Sequence, residues 1–229
     1  KKGVNMAYID FLSTVHKSTK RDYLARVNEF PKAEAIKIAK QYGYDYWDGD
    51  RKFGYGGYKY DGRWNLVAKR IAEYYGIKSG DKILDVGCGK GLLLYGFMLA
   101  VPGVEVKGID ISEYAIENAK EEVRPFLEVG DAKKLPYADT SFDLVISINT
   151  VHNLYIYDLF TAIKEIERIG KKDKYLVVES YRTEEEKVNM MYWVLTGECF
   201  FEIKEWEWIY KECGYTGDHS FIYFEPSPS

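Results

Sequence analysis

From Lys82 onward the chain carries short apolar runs rich in β-branched residues, KILDV, VEVKGI, FLEV, FDLVISI and YLVVES. Between them lie stretches of helical periodicity such as Ser112 to Val123 and Leu159 to Ile169. Continuous apolar runs suit strands buried on both faces, and their alternation with helices is the mark of βαβ units. The pattern predicts an α/β unit around a parallel sheet. Upstream, Thr19 precedes a periodic stretch with Tyr23, Leu24 and Val27. A second stretch, with Ala35, Ile36, Ala39 and Tyr42, opens at Pro31 and closes at Gly43, and a third runs from Arg63 to Tyr75 and stops at Gly76. All three read as helices. After Glu179, one helix face is marked by Val188, Met191, Tyr192 and Leu195. Another is marked by Ile203, Trp206, Ile209, Tyr210 and Cys213, with Gly214 and a last strand, Phe221 to Glu225, behind it.

At 229 residues, 46% hydrophobic and 30% charged, the chain has room for one sizeable core with additions. Residues 1–78 form an N-terminal part of helices and a glycine-rich aromatic segment; 79–229 form the core with a C-terminal helical cover. Lys plus Arg number 32 against 36 acids, a net charge of −4, which argues against nucleic acid as the main partner. Cys88, Cys199 and Cys213 are odd in number and widely spaced, so neither a disulfide framework nor a metal site is expected, and a cytoplasmic setting is. No apolar run reaches membrane-spanning length, and Lys1-Lys2-Gly3-Val4 has no apolar signal core behind it, so no membrane association is expected.

The run KILDV leads into GCGKG, giving Asp85-x-Gly87-x-Gly89-x-Gly91. A tight turn without Cβ atoms at the carboxyl end of a strand lets a ligand approach the main chain closely. The next strand ends at Asp110, about twenty residues on, where an acid meets ribose hydroxyls. A third ends at Gly130-Asp131-Ala132. Singly, Asp110 could cap the helix near Ser112 and Asp131 could cap a turn; together at strand ends they point to a nucleotide-like ligand. The dinucleotide fingerprint wants a small residue where Leu92 stands, and Lys90 is followed by Gly91 rather than the Ser or Thr of a phosphate-binding loop, so neither NAD nor ATP is favoured.

Asp85-Val86-Gly87-Cys88-Gly89-Lys90-Gly91, Asp110, Gly130-Asp131-Ala132, and Leu135-Pro136 ahead of Ser141-Phe142-Asp143-Leu144-Val145 resemble the class I S-adenosylmethionine-dependent methyltransferases of small molecules. The resemblance spans roughly Lys82 to Leu154. It implies a Rossmann-like, doubly wound sheet of seven strands, mostly parallel with an antiparallel last strand, for which Phe221 to Glu225 is the candidate. It further implies S-adenosyl-L-methionine as methyl donor and S-adenosyl-L-homocysteine as product. Gly87, Cys88, Gly89 and Gly91 would bring the backbone to the methionine and ribose portions, with Asp85 at the amino group. Asp110 would take the ribose hydroxyls, Ile111 would pack on the adenine, and Asp131 with the Ala132 N–H would hold its edge. Asn149 would border the cofactor.

The stretch Gly54 to Trp64, GYGGYKYDGRW, then reads as a mobile aromatic lid. Gly54, Gly56, Gly57 and Gly62 give it hinge freedom, Tyr55, Tyr58, Tyr60 and Trp64 exclude water, and Tyr58 or Arg63 meets the cofactor carboxylate. The alternative is an ordered loop whose aromatics patch the core. For a hydroxyl acceptor a base is needed, and His152, delivered by the fourth strand, can take a proton near neutrality; alternatively it only caps the next helix. Tyr55, Tyr60, Asn153, Tyr181 and Arg182 are the candidate substrate contacts, Arg182 pairing with a substrate anion or else with a surface acid such as Glu184, Glu185 or Glu186. Tyr192, Trp193, Trp206 and Trp208 build a C-terminal cover or an aromatic cage. Asn149 is followed by Thr150, not by the Pro-Pro-aromatic sequence of enzymes that methylate adenine or glutamine amino groups. The expected activity is O-methylation of a small polar molecule by a monomer or homodimer, and Tyr44 to Trp64 resembles segments of enzymes modifying surface polysaccharides or natural products. N-methylation of a small amine and a non-catalytic cofactor-binding domain are the alternatives.

Overall fold

The computed structural model describes residues 6–16 and 21–226; Lys1 to Val4 and the helix start at Thr19 lie outside them. The N-terminal helices are α1 (Ser13–His16), α2 (Tyr23–Asn28), α3 (Lys32–Ala39), α4 (Tyr44–Trp47) and α5 (Arg63–Tyr75). The alternating part follows as β1 (Lys82–Val86), α6 (Leu92–Ala100), β2 (Glu105–Asp110), α7 (Glu113–Glu117), β3 (Leu127–Val129), β4 (Phe142–Ile148), α8 (Ile156–Ile169) and β5 (Gly170–Glu179). Then α9 (Glu184–Trp193) and α10 (Ile203–Glu212) lead to β6 (Asp218–Ile222).

The strands form one sheet in the order β3-β2-β1-β4-β5-β6, with every pair parallel. Alternate side chains feed two cores. Ile83, Leu144, Ile146, Tyr175, Val177 and Ile222 pack with α5, α6 and α9. Leu84, Val86, Val145, Leu176, Val178 and Phe221 pack with α8 and α10. Each helix is held by its apolar stripe: Val67 and Ile71 on α5, Leu159, Ile163 and Ile166 on α8, and Trp206, Ile209 and Tyr210 on α10 are all buried.

The sheet thus has six strands, all parallel, and not seven with an antiparallel last one. The connection accommodates this: parallel neighbours need a long crossover, and β5 reaches β6 through two helices that carry the chain back to its starting side. The last strand is also placed earlier, at 218–222 rather than 221–225. Its free edge is covered by the N-terminal segment, where Ile9 donates to the His219 carbonyl at 2.9 Å and His219 donates to that of Ala7 at 3.0 Å.

Two helices differ from expectation. α7 ends at Glu117 instead of Val123, because the Asn118 side chain turns back to the Tyr114 carbonyl at 2.9 Å and the chain must tighten into a 3-10 turn around Pro125 before β3. On α9, Val188 and Met191 are exposed while Glu186, Met190 and Trp193 are buried. Both sets have helical spacing; the rotation is the one that packs Met190 and Trp193 into the core, and in it Glu186 accepts from the Arg182 backbone N–H at 2.8 Å and from its guanidinium. Among the described residues no helix is long and apolar enough to cross a membrane.

α5 and α6 touch at Gly96, where a Cβ would lie 2.9 Å from the Ala68 Cβ and 3.0 Å from the Trp64 carbonyl oxygen. Since Trp64 borders the cavity described below, this contact also positions the cover. Gly96→Val is expected to force the helices apart and cost about 1–3 kcal/mol, read as a drop in the denaturant midpoint with an unchanged slope.

Candidate active site

Parallel strands leave all their carboxyl ends on one side, and ligands bind where the strand order reverses, here between β1 and β4. A cavity of about 560 Å³ follows that edge, within the range of roughly 300–1,000 Å³ usual for small-molecule sites. The strand order fixes its layout. Asp110, Ile111, Gly130, Asp131 and Ala132 line the β2–β3 end, Asp85, Gly87, Cys88, Gly89 and Asn149 the middle, and Glu179 and Ile222 the β5–β6 end.

The glycine turn is held by one carboxylate. Asp110, 8% exposed, accepts the Gly89 N–H at 2.7 Å on one oxygen and the Ser112 N–H at 2.9 Å on the other. Burial raises its pKa against the lowering effect of those two amides. The cap of α7 is Ser112 itself, whose hydroxyl accepts from the Ala115 N–H, so Asp110 serves the turn and the cavity. Gly87 and Gly89 both have positive φ, 80° and 53°, and a Cβ on them would meet the Thr150 side chain at 1.9 Å and the Trp47 ring at 2.8 Å. Gly91 does not line the cavity. Its missing Cβ makes room for Val123 and Leu127, at 2.8 and 2.9 Å, and its φ of 70° starts α6.

Asp85 is the most perturbed acid of the site. It is 4% exposed, its Oδ1 has no partner, and burial, followed by the charge of Asp110, pushes its pKa up to about 8. Asp131 accepts the Lys133 N–H at 2.9 Å and also faces the cavity, so it turns the chain and borders the ligand space at once. Ile111 stands 57% exposed at this end.

The cover is pinned at several places. Trp47 lies over Gly89, and its indole N–H donates to Ser112 Oγ at 2.9 Å and to the Tyr42 carbonyl at 3.0 Å. Asp48 receives Lys90 Nζ at 2.7 and 2.6 Å and the Tyr114 hydroxyl at 2.8 Å. Tyr55 accepts the N–H groups of Leu195 and Thr196 at 2.8 and 3.2 Å. Gly54 is not a hinge: its backbone is extended, and a Cβ there would sit 2.1 Å from the Tyr46 carbonyl oxygen. Tyr58 stacks on Tyr46 and, like Arg63, lines the cavity, where Arg63 Nε is bonded to Asp61 at 2.6 Å. The aromatic loop is therefore an ordered cover whose tyrosine hydroxyl at 55 is engaged by the protein.

At the acceptor end, His152 sits in a 3-10 turn, Val151–Asn153, and is 3% exposed. Its Nε2 lies 3.3 Å from Glu179 Oε2, and its Nδ1 has no partner. Asn153 donates to the Asn149 carbonyl at 3.0 Å, leaving its own oxygen without a partner in the cavity wall. Three candidate substrate contacts stand elsewhere. Tyr60 accepts from Asn65 at 2.8 Å and packs on Tyr95. Tyr181 makes an isolated bridge to Glu202. Arg182 is taken up by Glu186 and Glu225 and lies over the Tyr223 ring at 4.1 Å, the surface-acid alternative. None of the three lines the cavity. Trp47 and the Asp48–Lys90 pair were not foreseen as site features, and Lys90 inside the glycine turn was the only signal for them; Glu179, after the fifth strand, is expected at the pocket rim from sequence, but its pairing with His152 is not. Trp208 is exposed and Trp206 belongs to the core, while Trp193 borders the cavity.

A donor-rich ligand fits these walls, since Asp85 Oδ1, Asn149 Oδ1 and Asn153 Oδ1 are buried acceptors without partners. Residues 77–216, more than half of the chain, match the family model described as a methyltransferase domain. The chain belongs to this methyltransferase family. Demethylmenaquinone methyltransferases from Staphylococcus aureus strains are 36% identical to it over 126 residues, covering 49% of this chain and 52% of theirs. The chain thus spans about half the length of the curated relatives it matches. Among solved structures, the YcgJ protein of Bacillus subtilis aligns with a TM-score of 0.54 at 21% identity, covering 64% of this chain and 66% of that one. A complex of the Trm112 methyltransferase activator with a methyltransferase candidate from Haloferax volcanii aligns with a TM-score of 0.55 at 19% identity, covering 86% and 77%. These likenesses carry the fold. The family match makes residues 77–216 a methyltransferase domain.

Asp85 generates a pH prediction for the ligand-free protein. Its unfolded carboxyl titrates near about 3.9 while the folded one holds its proton to about 8, so the unfolded state binds fewer protons between those values. Stability is therefore full below the lower value and falls as pH rises toward the upper. Asp85→Asn should remove this slope and raise Tm relative to wild type at the alkaline end only, as seen by scanning calorimetry at both ends of the window. An equal Tm difference at both ends would show an ordinary carboxyl.

Proposed function

We propose that the enzyme transfers the methyl group of S-adenosylmethionine to a hydroxyl of a small polar molecule, with His152 as the base. The observation that carries this reading is the buried His152 beside Glu179 at the β4–β5 end of the cavity, with one ring nitrogen unengaged. When bound, the cofactor supplies an electrophilic methyl group on a sulfonium. Asp85 takes its amino group, the amides of the Gly87–Gly89 turn approach its ribose and methionine portions, and Asp110 accepts the ribose hydroxyls with its remaining lone pairs. Ile111 packs on the adenine and Asp131 with the Ala132 N–H takes its edge. Tyr58 and Trp64 keep water from the reacting centre, and the enclosed walls hold the acceptor in line, which supplies much of the rate.

As the acceptor oxygen took the methyl group that a bound cofactor would supply, with the thioether as leaving group, His152 would take the proton of the acceptor hydroxyl. Such positioned proton transfer contributes about 10²–10⁴-fold. A small free acceptor in the cytoplasm suits the enclosed cavity and the acidic charge balance. A second reading has its own observation: Tyr46, Tyr55, Tyr58 and Trp193 with the Glu179 carboxylate make a wall suited to a cation, which favours N-methylation of an amine.

Calorimetry should show binding of S-adenosylhomocysteine and none of NAD; silence with the former would overturn the reading. With phenol, methyl glucoside, benzylamine and demethylmenaquinone offered as acceptors, product should form on a hydroxyl. His152→Ala should then lower that rate about 10²-fold or more with unchanged affinity for S-adenosylhomocysteine, and near wild-type turnover would remove the base.

A further inference from the structure

Glu179 is one of the few acids buried among the described residues. It is 8% exposed at the last residue of β5, beside the cavity, and the only side chain within ion-pair distance of it among the described residues is His152. A buried carboxylate is costly unless a donor meets it; Glu179 Oε2 has no completed hydrogen bond, and the donor group within ion-pair distance of it is the His152 imidazole. A neutral imidazole has a single N–H. If that proton sits on Nε2, facing Glu179 Oε2 at 3.3 Å, the lone pair is on Nδ1, the nitrogen that is buried without any partner. The contact is longer and less aligned than a finished hydrogen bond, as is common before a site closes on its ligands.

We infer that Glu179 is a positioning residue that fixes the tautomer of His152, so that Nδ1 is the atom that receives the acceptor proton. The inference rests on the reading of His152 as the base. The rest of the geometry agrees with it. The backbone of the histidine is clamped independently, its carbonyl accepting the N–H groups of Glu198 and Cys199 at 3.0 Å each, so the ring can turn only about its side-chain bonds. β4 and β5 are adjacent and in register through Ile148 and Val177, which puts the turn after one strand next to the end of the other. When the proton arrives on Nδ1, the resulting imidazolium keeps its Nε2–H on an anion, and the charge is stabilised where it forms. The aspartate of serine hydrolases acts in this way on its histidine; the difference here is that the activated hydroxyl belongs to the acceptor. The proton can leave to water once the product departs.

The test uses the full chain with S-adenosylhomocysteine bound and reads the ring directly. Long-range nitrogen–proton NMR spectra of wild type, assigned with His152→Asn, should show the neutral ring protonated on Nε2, with that proton far downfield. The Nδ1–H form would overturn the inference without any Glu179 variant being needed. In Glu179→Gln, which keeps the shape and removes the charge, the Nε2 proton should move upfield as a charge-assisted bond becomes a neutral one, while affinity for S-adenosylhomocysteine stays within about twofold of wild type. An unmoved proton in a variant that still binds would also overturn it. Because the nitrogen spectra need no acceptor, failure of O-methylation in the acceptor panel with the predicted spectra intact would count against the acceptor and not against the pair.

Discussion

The site depends on one buried carboxylate. Asp110 ends β2 and ties the turn after β1 to the start of α7 by accepting one amide on each oxygen. Hydrogen bonds to a charged group contribute about 1.5–3 kcal/mol each, and these two fix the glycine turn at the height where a ligand meets it. The consequence reaches further, because Ser112, set by Asp110, holds both Trp47 and the Tyr42 carbonyl. The cover is thereby fastened to the same acid that borders the floor. Because floor and cover share this anchor, displacement of the turn would also disturb Trp47 above it.

Much of this was legible from local pattern. β1 and β4 have the expected bounds, and the helix from Arg63 to Tyr75 is where its periodicity and Gly76 put it. Local pattern suffices when the signal and the constraint are the same thing, as for an apolar run that must be buried. It fails where two solutions share one signal. Residues 188, 191, 192 and 195 and residues 186, 190 and 193 both have helical spacing, and only packing against the assembled core, which takes Met190 and Trp193, chooses between them. The direction of β6 could not be read from its residues either, since it follows from the path through α9 and α10.

The site divides in the same way. The acids at strand ends and the glycine turn share one edge because parallel strands must end together. Gly91, by contrast, has a glycine's motif position and a packing job, which spacing alone does not separate. Arg182 was drawn off by Glu186 and Glu225, acids four and forty-three positions away in sequence, and no composition rule tells which of several nearby acids will win. His152 follows β4 and Glu179 ends β5, neighbouring strands whose pairing is invisible until the sheet is assembled.

The strand order β3-β2-β1-β4-β5-β6 is also that of dinucleotide-binding folds, so topology does not decide which nucleotide this edge accepts. Electrostatics at the turn favours one charge over the other. A dinucleotide lays its pyrophosphate against the glycine turn, and here that position is faced by Asp110 and by Asp85, both nearly fully buried, with Lys90 already consumed by Asp48. An anion there would meet Asp110 and hold Asp85 in its protonated form, whereas a cation would let Asp85 ionise, since Coulomb interactions are weakly screened away from water. Leu92, bordering the cavity where the dinucleotide fingerprint has a small residue, adds a steric obstacle. A ligand that brings an ammonium and a sulfonium supplies the positive charge that Asp85 lacks. Burial without a cationic partner, with Asp110 beside it, is what holds the pKa of that acid high in the ligand-free protein.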